Sequence, residues 1–334
     1  MILLSGGAGF TGMSIAEHLA MSGTPVVITT HRRNDKMAAA MASDLITVEM
    51  VDLSNPYEVN ELFARYEFKG VIHTATAHMF AATRAANFAT YKMLFNCLEA
   101  ATTFGVPRFV LVGSLVVYRG LTGPFREDMA PPPDIAYNPP GLLQFFPHFE
   151  VSVKRAMELV TLDYGLPTDP WDRAPPRKGK KRTQMQTAVV RLPWQLGPRY
   201  TSMYSPIASV LHAAARDDRK FLVDRPLKSF MPLSYVRDSA SGIVAVMQGK
   251  ELPNRIYNVS SDVIPTAHDV LTTLYKVMPA AHARVGLDIP PQVSTEPQDY
   301  LDISRIREDV GWSPQFTLES MFTDYLSWLE TNEY

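Results

Sequence analysis

The N-terminal strand and the glycine turn that follows it constrain this chain more than any other feature. Ile2 to Ser5 is a short apolar run that ends in Gly6-Gly7-Ala8-Gly9-Phe10-Thr11-Gly12. Residues 13–22 then place Ile15, Leu19 and Ala20 at helical spacing. The segment reads as strand, turn and helix. Glycines 6, 9 and 12 stand three apart, with Gly7 as an extra. Such a turn needs glycine where the backbone leaves the strand sharply, where it approaches a pyrophosphate, and where the helix packs close to the sheet. The helix N-terminus then offers amide groups and a positive dipole end. Gly6, Gly9, Phe10, Thr11 and Gly12 therefore form a candidate dinucleotide site.

Further apolar runs at 25–29, 46–51, 70–74, 109–112 and 188–191 read as strands, with helical patterns at 87–103 and 151–164. Strands that read as continuous apolar runs and alternate with helices indicate a parallel sheet covered on both faces. The expected fold class is α/β, a doubly wound parallel sheet. Only Pro25, Pro56 and Pro107 occur in the first 123 residues, and the other 23 prolines follow. The expected division is a dinucleotide-binding domain at 1–192, with a loop insertion at about 166–187, and a mainly substrate-binding domain at 193–334 that is partly interleaved with the sheet. Seven prolines lie between Pro124 and Pro147, where fixed φ and missing amide donors disfavour helix and sheet.

With 46% hydrophobic and 20% charged residues the chain can bury a sizeable core. A formal charge of −2 gives no field that collects nucleic acid or an anionic membrane, so a small-molecule partner is expected. Cys97 is the only cysteine, which excludes an internal disulfide framework and any multi-cysteine metal site. No metal is expected. No apolar run approaches membrane-spanning length, and Met1 leads into the first strand without a basic leader. A soluble cytoplasmic setting is the expectation.

NAD-binding turns of this kind usually place an acidic residue at the end of the second strand. Here that position is Thr30, followed by His31, Arg32 and Arg33. Two guanidiniums can clamp a 2′-phosphate, so NADP is expected, with NAD possible. Asp52 and Leu53 follow the third strand and suit the adenine edge, although Asp there also caps helices.

Several stretches in order resemble the extended short-chain dehydrogenase/reductase superfamily, the NAD(P)-dependent epimerase/dehydratase group. They are Gly6–Gly12; Val71-Ile-His-Thr-Ala75; Asn87 before a helix ending Leu98-Glu-Ala-Ala101; Phe109-Val-Leu-Val-Gly-Ser-Leu-Val-Val-Tyr118; Glu127-Asp128; Lys154 with Glu158; Arg191-Leu-Pro-Trp-Gln-Leu-Gly-Pro198; Val236-Arg-Asp238; Tyr257-Asn-Val259; and Gly311-Trp-Ser-Pro314. The resemblance implies a Rossmann-type doubly wound parallel sheet with a smaller C-terminal α/β substrate domain, in which Thr74, Ala75, Asn87 and Pro193 line the cofactor and Ser114 orients the substrate oxygen. It implies that Lys154 holds the nicotinamide ribose and acts on the catalytic acid/base. A homodimer formed through two helices of each copy, 87–103 and 151–164, is also implied.

The pattern breaks at the family's catalytic tyrosine, four residues before the lysine, where Glu150 stands. A spacing of four keeps Glu150 and Lys154 on one helical face. An ionised glutamate is a general base and a poor general acid, so a ketone reduction would draw its proton from His148, Tyr137 or water. Other readings are a displaced donor from the 119–148 loop or a site without redox turnover. Nucleotide-sugar members usually carry an asparagine where Trp194 stands, which favours a flatter substrate. Phe146, His148, Trp194, Arg199 and Tyr204 are candidate substrate contacts beside Ser114, with Phe145, Tyr200 and Met203 as further pocket-lining residues and Arg237 as a further anion holder. The expected function is an NAD(P)-dependent oxidoreductase acting on a small or medium hydroxy or carbonyl metabolite. The alternatives are an epimerase, dehydratase or lyase that uses bound cofactor transiently or as scaffold, and a non-catalytic cofactor-binding sensor or interaction protein.

Overall fold

The computed structural model describes residues 1–31, 43–77, 83–134, 148–167, 184–200, 205–222, 227, 232–293 and 298–332. Its centre is a seven-stranded sheet of β1 (Ile2–Ser5), β2 (Val26–Thr30), β3 (Ile46–Met50), β4 (Gly70–His73), β5 (Arg108–Ser114), β6 (Gln186–Leu192) and β9 (Ile256–Asn258). The order is β3-β2-β1-β4-β5-β6-β9, with every neighbouring pair parallel. Strand order reverses between β1 and β4, so a crevice opens at their C-terminal ends. That is where ligands of such sheets bind. A two-stranded parallel ribbon, β7 (Trp194–Leu196) with β8 (Leu233–Tyr235), stands beside the sheet.

Alternation along the strands builds two separate cores. Ile2, Leu4, Ile28, Val110 and Val112 face α1 (Phe10–Met21) and α6 (Val236–Gln248). Leu3, Val27, Val71, Phe109 and Leu111 face α2 (Pro56–Arg65), α3 (Arg84–Phe104) and α4 (His148–Tyr164). This is the doubly wound arrangement that the sequence implies. A third core joins the ribbon to α5 (Pro206–Arg216), α7 (Ala267–Val277), the short α8 (Ala281–Val285) and α10 (Leu318–Thr331). The remaining helix, α9 (Ser304–Val310), sends Ile306 into the first core.

The helices read at 87–103 and 151–164 begin three residues earlier, at Arg84 and His148, and two further elements differ from their sequence reading. The first helix begins at Phe10 rather than 13, because Gly9 serves as its N-cap and the glycine turn supplies its first turn. β3 is not a fully buried run: Met50 is 61% exposed and Val48 is exposed with it. The reason is position. β3 ends the sheet, and Glu49 on this strand accepts from Tyr66 at 2.5 Å and pairs with Arg65 at 3.1 Å. Residues 168–183, most of the basic stretch, lie outside the described residues, as do Phe145, Phe146, Tyr137, Met203 and Tyr204.

Candidate active site

Each glycine of the N-terminal turn has a different neighbour. A Cβ on Gly12 would stand 2.7 Å from the Gly6 carbonyl oxygen and from Gly7 Cα, and one on Gly6, where φ is +74°, would stand 2.7 Å from Ala75. These positions let the turn fold onto itself and onto the end of β4. Gly9 is different, since its Cβ would meet only the Gly6 oxygen at 3.4 Å and its other side is open. An exposed glycine at the helix start, with no side-chain cap on α1, is the cradle that a pyrophosphate requires. The turn is braced from behind: the Gly6 amide donates to Thr29 Oγ1 at 3.0 Å, and the Thr74 amide and hydroxyl both donate to the Ser5 carbonyl. Thr74 and Ala75 thus meet the turn directly. The geometry fits a dinucleotide.

The Thr11 hydroxyl is engaged within the protein. It donates to Gln195 Oε1 at 3.0 Å, and Gln195 Nε2 donates to Ser239, which lies 2.7 Å from Ser234. The side chain ties α1 to the ribbon and to α6, leaving its backbone toward the turn. At the other end of the crevice His31 is exposed after β2 and within electrostatic reach of Asp52. Hydrogen bonds from the Ser54 hydroxyl and amide hold the Asp52 carboxyl below its usual range. The cap of α2 is Asn55, not Asp52. Leu53 is buried and its carbonyl accepts from Asn96. Arg32 and Arg33 lie outside the described residues. Asn87 sits in the first turn of α3, its amide bonded to the Thr83 carbonyl, and Pro193 is buried between β6 and β7.

Ser114 ends β5 and accepts the Val116 amide, so the strand passes into a single 3₁₀ turn, Leu115–Tyr118. Glu150 lies in the first turn of α4 and Lys154 one turn further on. Arg155 fixes that helix against the strand end: its guanidinium donates to the carbonyls of Val117 (3.1 Å), Arg119 (2.6 Å) and Pro132 (2.7 Å). Nothing in the sequence marks this staple, because its acceptors are backbone oxygens.

The face of α4 carries three charges at successive turns. Burial pushes the Glu150 carboxyl above its ordinary range, with Lys154 pulling it back. Burial lowers the Lys154 ammonium, opposed by Glu150 and Glu158. Glu158 is held by Arg191, whose Nη2 donates at 2.7 Å and whose Nε donates at 3.1 Å to the other oxygen. The Arg191 guanidinium lies 4.7 Å over the Tyr118 ring, and Tyr118 donates to Asn258 at 2.9 Å.

His73, at the end of β4, is fully buried with Nδ1 2.7 Å from Ser5 Oγ and, among the described residues, no hydrogen-bond partner on Nε2. Burial and the charge of Lys154 push its pKa down to about 3, so it is neutral at physiological pH. The sequence held it only as part of a motif. Its neutrality follows from the helices above it.

The substrate side is less complete. His148 is the exposed first residue of α4, and Trp194 packs against the small cluster of Leu115, Val117, Tyr118, Phe125 and Leu301. Arg199 and Arg237, read as anion holders, carry carboxylate partners: Arg199 pairs with Glu17 and Arg237 with Asp324. A substrate anion would have to compete with those pairs. Among the described residues no group of three or more His, Cys, Asp or Glu is placed to hold a metal ion, and no helix is long and apolar enough to cross a membrane.

Residues 2–139 match the model of the NAD dependent epimerase/dehydratase family. The whole chain is similar to UDP-glucuronate 4-epimerase of Thermodesulfobacterium geofontis, with 21% identity over 99% of this chain and 96% of that protein. Among solved structures it resembles UDP-glucuronic acid 4-epimerase of Bacillus cereus in complex with NAD, with a TM-score of 0.73, 17% identity, and 99% and 98% of the two chains covered. It also resembles UDP-glucose 4-epimerase of Thermotoga maritima with UDP-glucose, with a TM-score of 0.72, 16% identity, and the same coverage.

Proposed function

We propose that this chain, a member of the NAD dependent epimerase/dehydratase family, inverts a hydroxyl-bearing carbon of its substrate in a cycle that leaves its dinucleotide unchanged. The observation that carries this reading is Glu150 at the tyrosine's place, its carboxyl raised by burial and Lys154 one turn away. A net ketone reduction needs a proton that an ionised carboxylate does not hold. Inversion needs none, because the proton Glu150 removes from the substrate hydroxyl is the one it later returns to the substrate oxygen. A raised carboxyl serves both directions better than one of ordinary acidity.

Ser114 donates to or accepts from that oxygen, and Lys154 holds the ribose while stabilising the Glu150 carboxylate. When bound, the dinucleotide supplies a reversible hydride acceptor. The glycine turn takes its pyrophosphate, and Asp52, Leu53, Thr74, Ala75, Asn87 and Pro193 line the rest. The ionised Asp52 beside His31 adds negative charge at the adenosine end, which disfavours a 2′-phosphate and favours NAD over the NADP expected from Arg32 and Arg33. Trp194 in place of the family's asparagine favours a substrate recognised without a diphosphate contact there. Exposed Phe88 and Phe95 on α3 and Leu159 on α4, which pack side by side, support a homodimer through that face.

The test incubates the protein and NAD with UDP-glucose, UDP-glucuronic acid and non-nucleotide hydroxy compounds, following epimer formation by NMR and reduced cofactor at 340 nm. Epimer without accumulating reduced cofactor is expected, and stoichiometric reduction would replace inversion with net oxidation. Glu150→Gln should lower kcat by roughly 100-fold or more with the circular dichroism spectrum unchanged. A larger melting shift with NADP than with NAD would reverse the cofactor choice.

A further inference from the structure

Beside the glycine turn runs a second turn, residues 197–200, whose sequence is Gly-Pro-Arg-Tyr. The Tyr200 amide donates to the Gly197 carbonyl at 3.2 Å, Pro198 occupies the second position, and Arg199 in the third has φ +69°. That is the pattern of a type II turn, whose third position takes glycine or asparagine with least strain. An arginine stands there instead.

What the arginine reaches explains its presence. Arg199 Nη1 donates to Glu17 Oε2 at 3.1 Å and Nη2 to Oε1 at 2.5 Å, a two-point pair to the middle of α1. The next residue, Tyr200, packs edge-on against Phe10, the first residue of α1, with ring centroids 5.2 Å apart. Just before the turn, Gln195 accepts from Thr11. Three side-chain contacts therefore fasten residues 195–200 along the first turns of α1, at the residues that directly follow Gly9. None of these contacts belongs to the sheet or to either of its cores. The segment starts from β7, whose Gln195 and Leu196 pair with β8, and beyond that strand side-chain contacts lay it along α1.

We propose that the turn at residues 197–200, carried on the end of β7, forms a latch beside the N-terminus of α1, locked by the Arg199–Glu17 pair, which sets how fast bound dinucleotide leaves. Arg199 is a positioning residue, acting through Tyr200 and Phe10. The proposal rests on the glycine turn holding a dinucleotide, as argued above. A cofactor that starts and ends each cycle in one form has no need to exchange, and a latch closed by an ion pair suits that use.

The test loads the full-length protein with NAD, removes free cofactor by gel filtration, and follows release by the loss of 260 nm absorbance from the protein fraction. Arg199→Gly is the informative variant, because glycine suits the positive φ and removes the pair. Glu17→Gln removes the same pair from the other side. Each should speed release about fivefold, with the melting temperature of the cofactor-free protein within a degree or two of the parent. The double variant should release no faster than either single one, since both remove one interaction. Release within twofold of the parent in both single variants would overturn the latch, while leaving the dinucleotide site intact. Failure of the parent itself to retain or bind NAD would overturn the dinucleotide reading, and the latch with it.

Discussion

Glu150 converts a sequence oddity into a measurable pH dependence. Its carboxyl lies above the ordinary carboxylate range because burial penalises the charge more than Lys154 repays. As a base it works only when ionised, so kcat/KM should fall as pH drops through that raised value, at a pH above 4.5. Lys154 is lowered by burial, so the alkaline limb should lie below the ordinary 10.5 of lysine. Glu150→Asp should retain the acid limb with reduced rate, and Glu150→Gln should lose it. An acid limb unchanged in Glu150→Gln would remove this carboxylate from the proton transfer. Positions on the elements were legible where residues sit in ordered motifs: Ser114 ends β5, and Lys154 lies one helical turn past Glu150. Partners were not: Arg199 and Arg237 read as anion holders in the sequence, and only folding brings Glu17 and Asp324 to them.

At the level of elements, the glycine turn separates structural from functional glycines, a distinction that spacing alone does not make. At Gly12 an added methyl meets backbone at 2.7 Å on two sides, and backbone cannot yield as a flexible side chain does. Gly12→Ala should therefore lower the melting temperature by several degrees, a cost of about 1–3 kcal/mol. Gly9→Ala meets only one oxygen at 3.4 Å and should fold nearly as well as the parent. Its methyl would occupy the open side, so the NAD-induced melting shift should disappear. Equal melting temperatures for the two variants, or a full NAD shift in Gly9→Ala, would refute this assignment.

Strand and helix identities in the sheet were legible because parallel strands buried on both faces read as apolar runs. The start of α1 and the exposure of β3 were less so. The first depends on backbone conformation at Gly9, the second on β3 standing at the sheet's edge.

Taken as one body, the protein stores a pH sensitivity that no single motif announces. His73 is pushed down to about 3 and His212, buried against Tyr325, to about 4, each mainly by burial. Both bind a proton near 6.5 in the unfolded chain and resist it in the folded one. A depressed folded pKa means that the unfolded state holds more protons between the two values, so stability is fully present above 6.5 and declines as pH falls toward 3. One histidine fully held neutral contributes a loss of about 2 kcal/mol between pH 6.5 and 5.

The buried acids Glu127, Glu158 and Asp238 act in the opposite sense, since burial raises each of them. Their share of stability is present below the ordinary carboxylate range and is lost as pH rises through the raised values. The total curve therefore mixes two opposing sets, and the histidine contribution is read by difference. Melting temperatures at pH 7 and pH 5 should fall more in the parent than in His73→Asn, whose side chain does not titrate yet can still bond Ser5. If both proteins lose the same number of degrees, the imidazole takes up its proton without unfolding the sheet, and a neutral His73 beside Lys154 is ruled out.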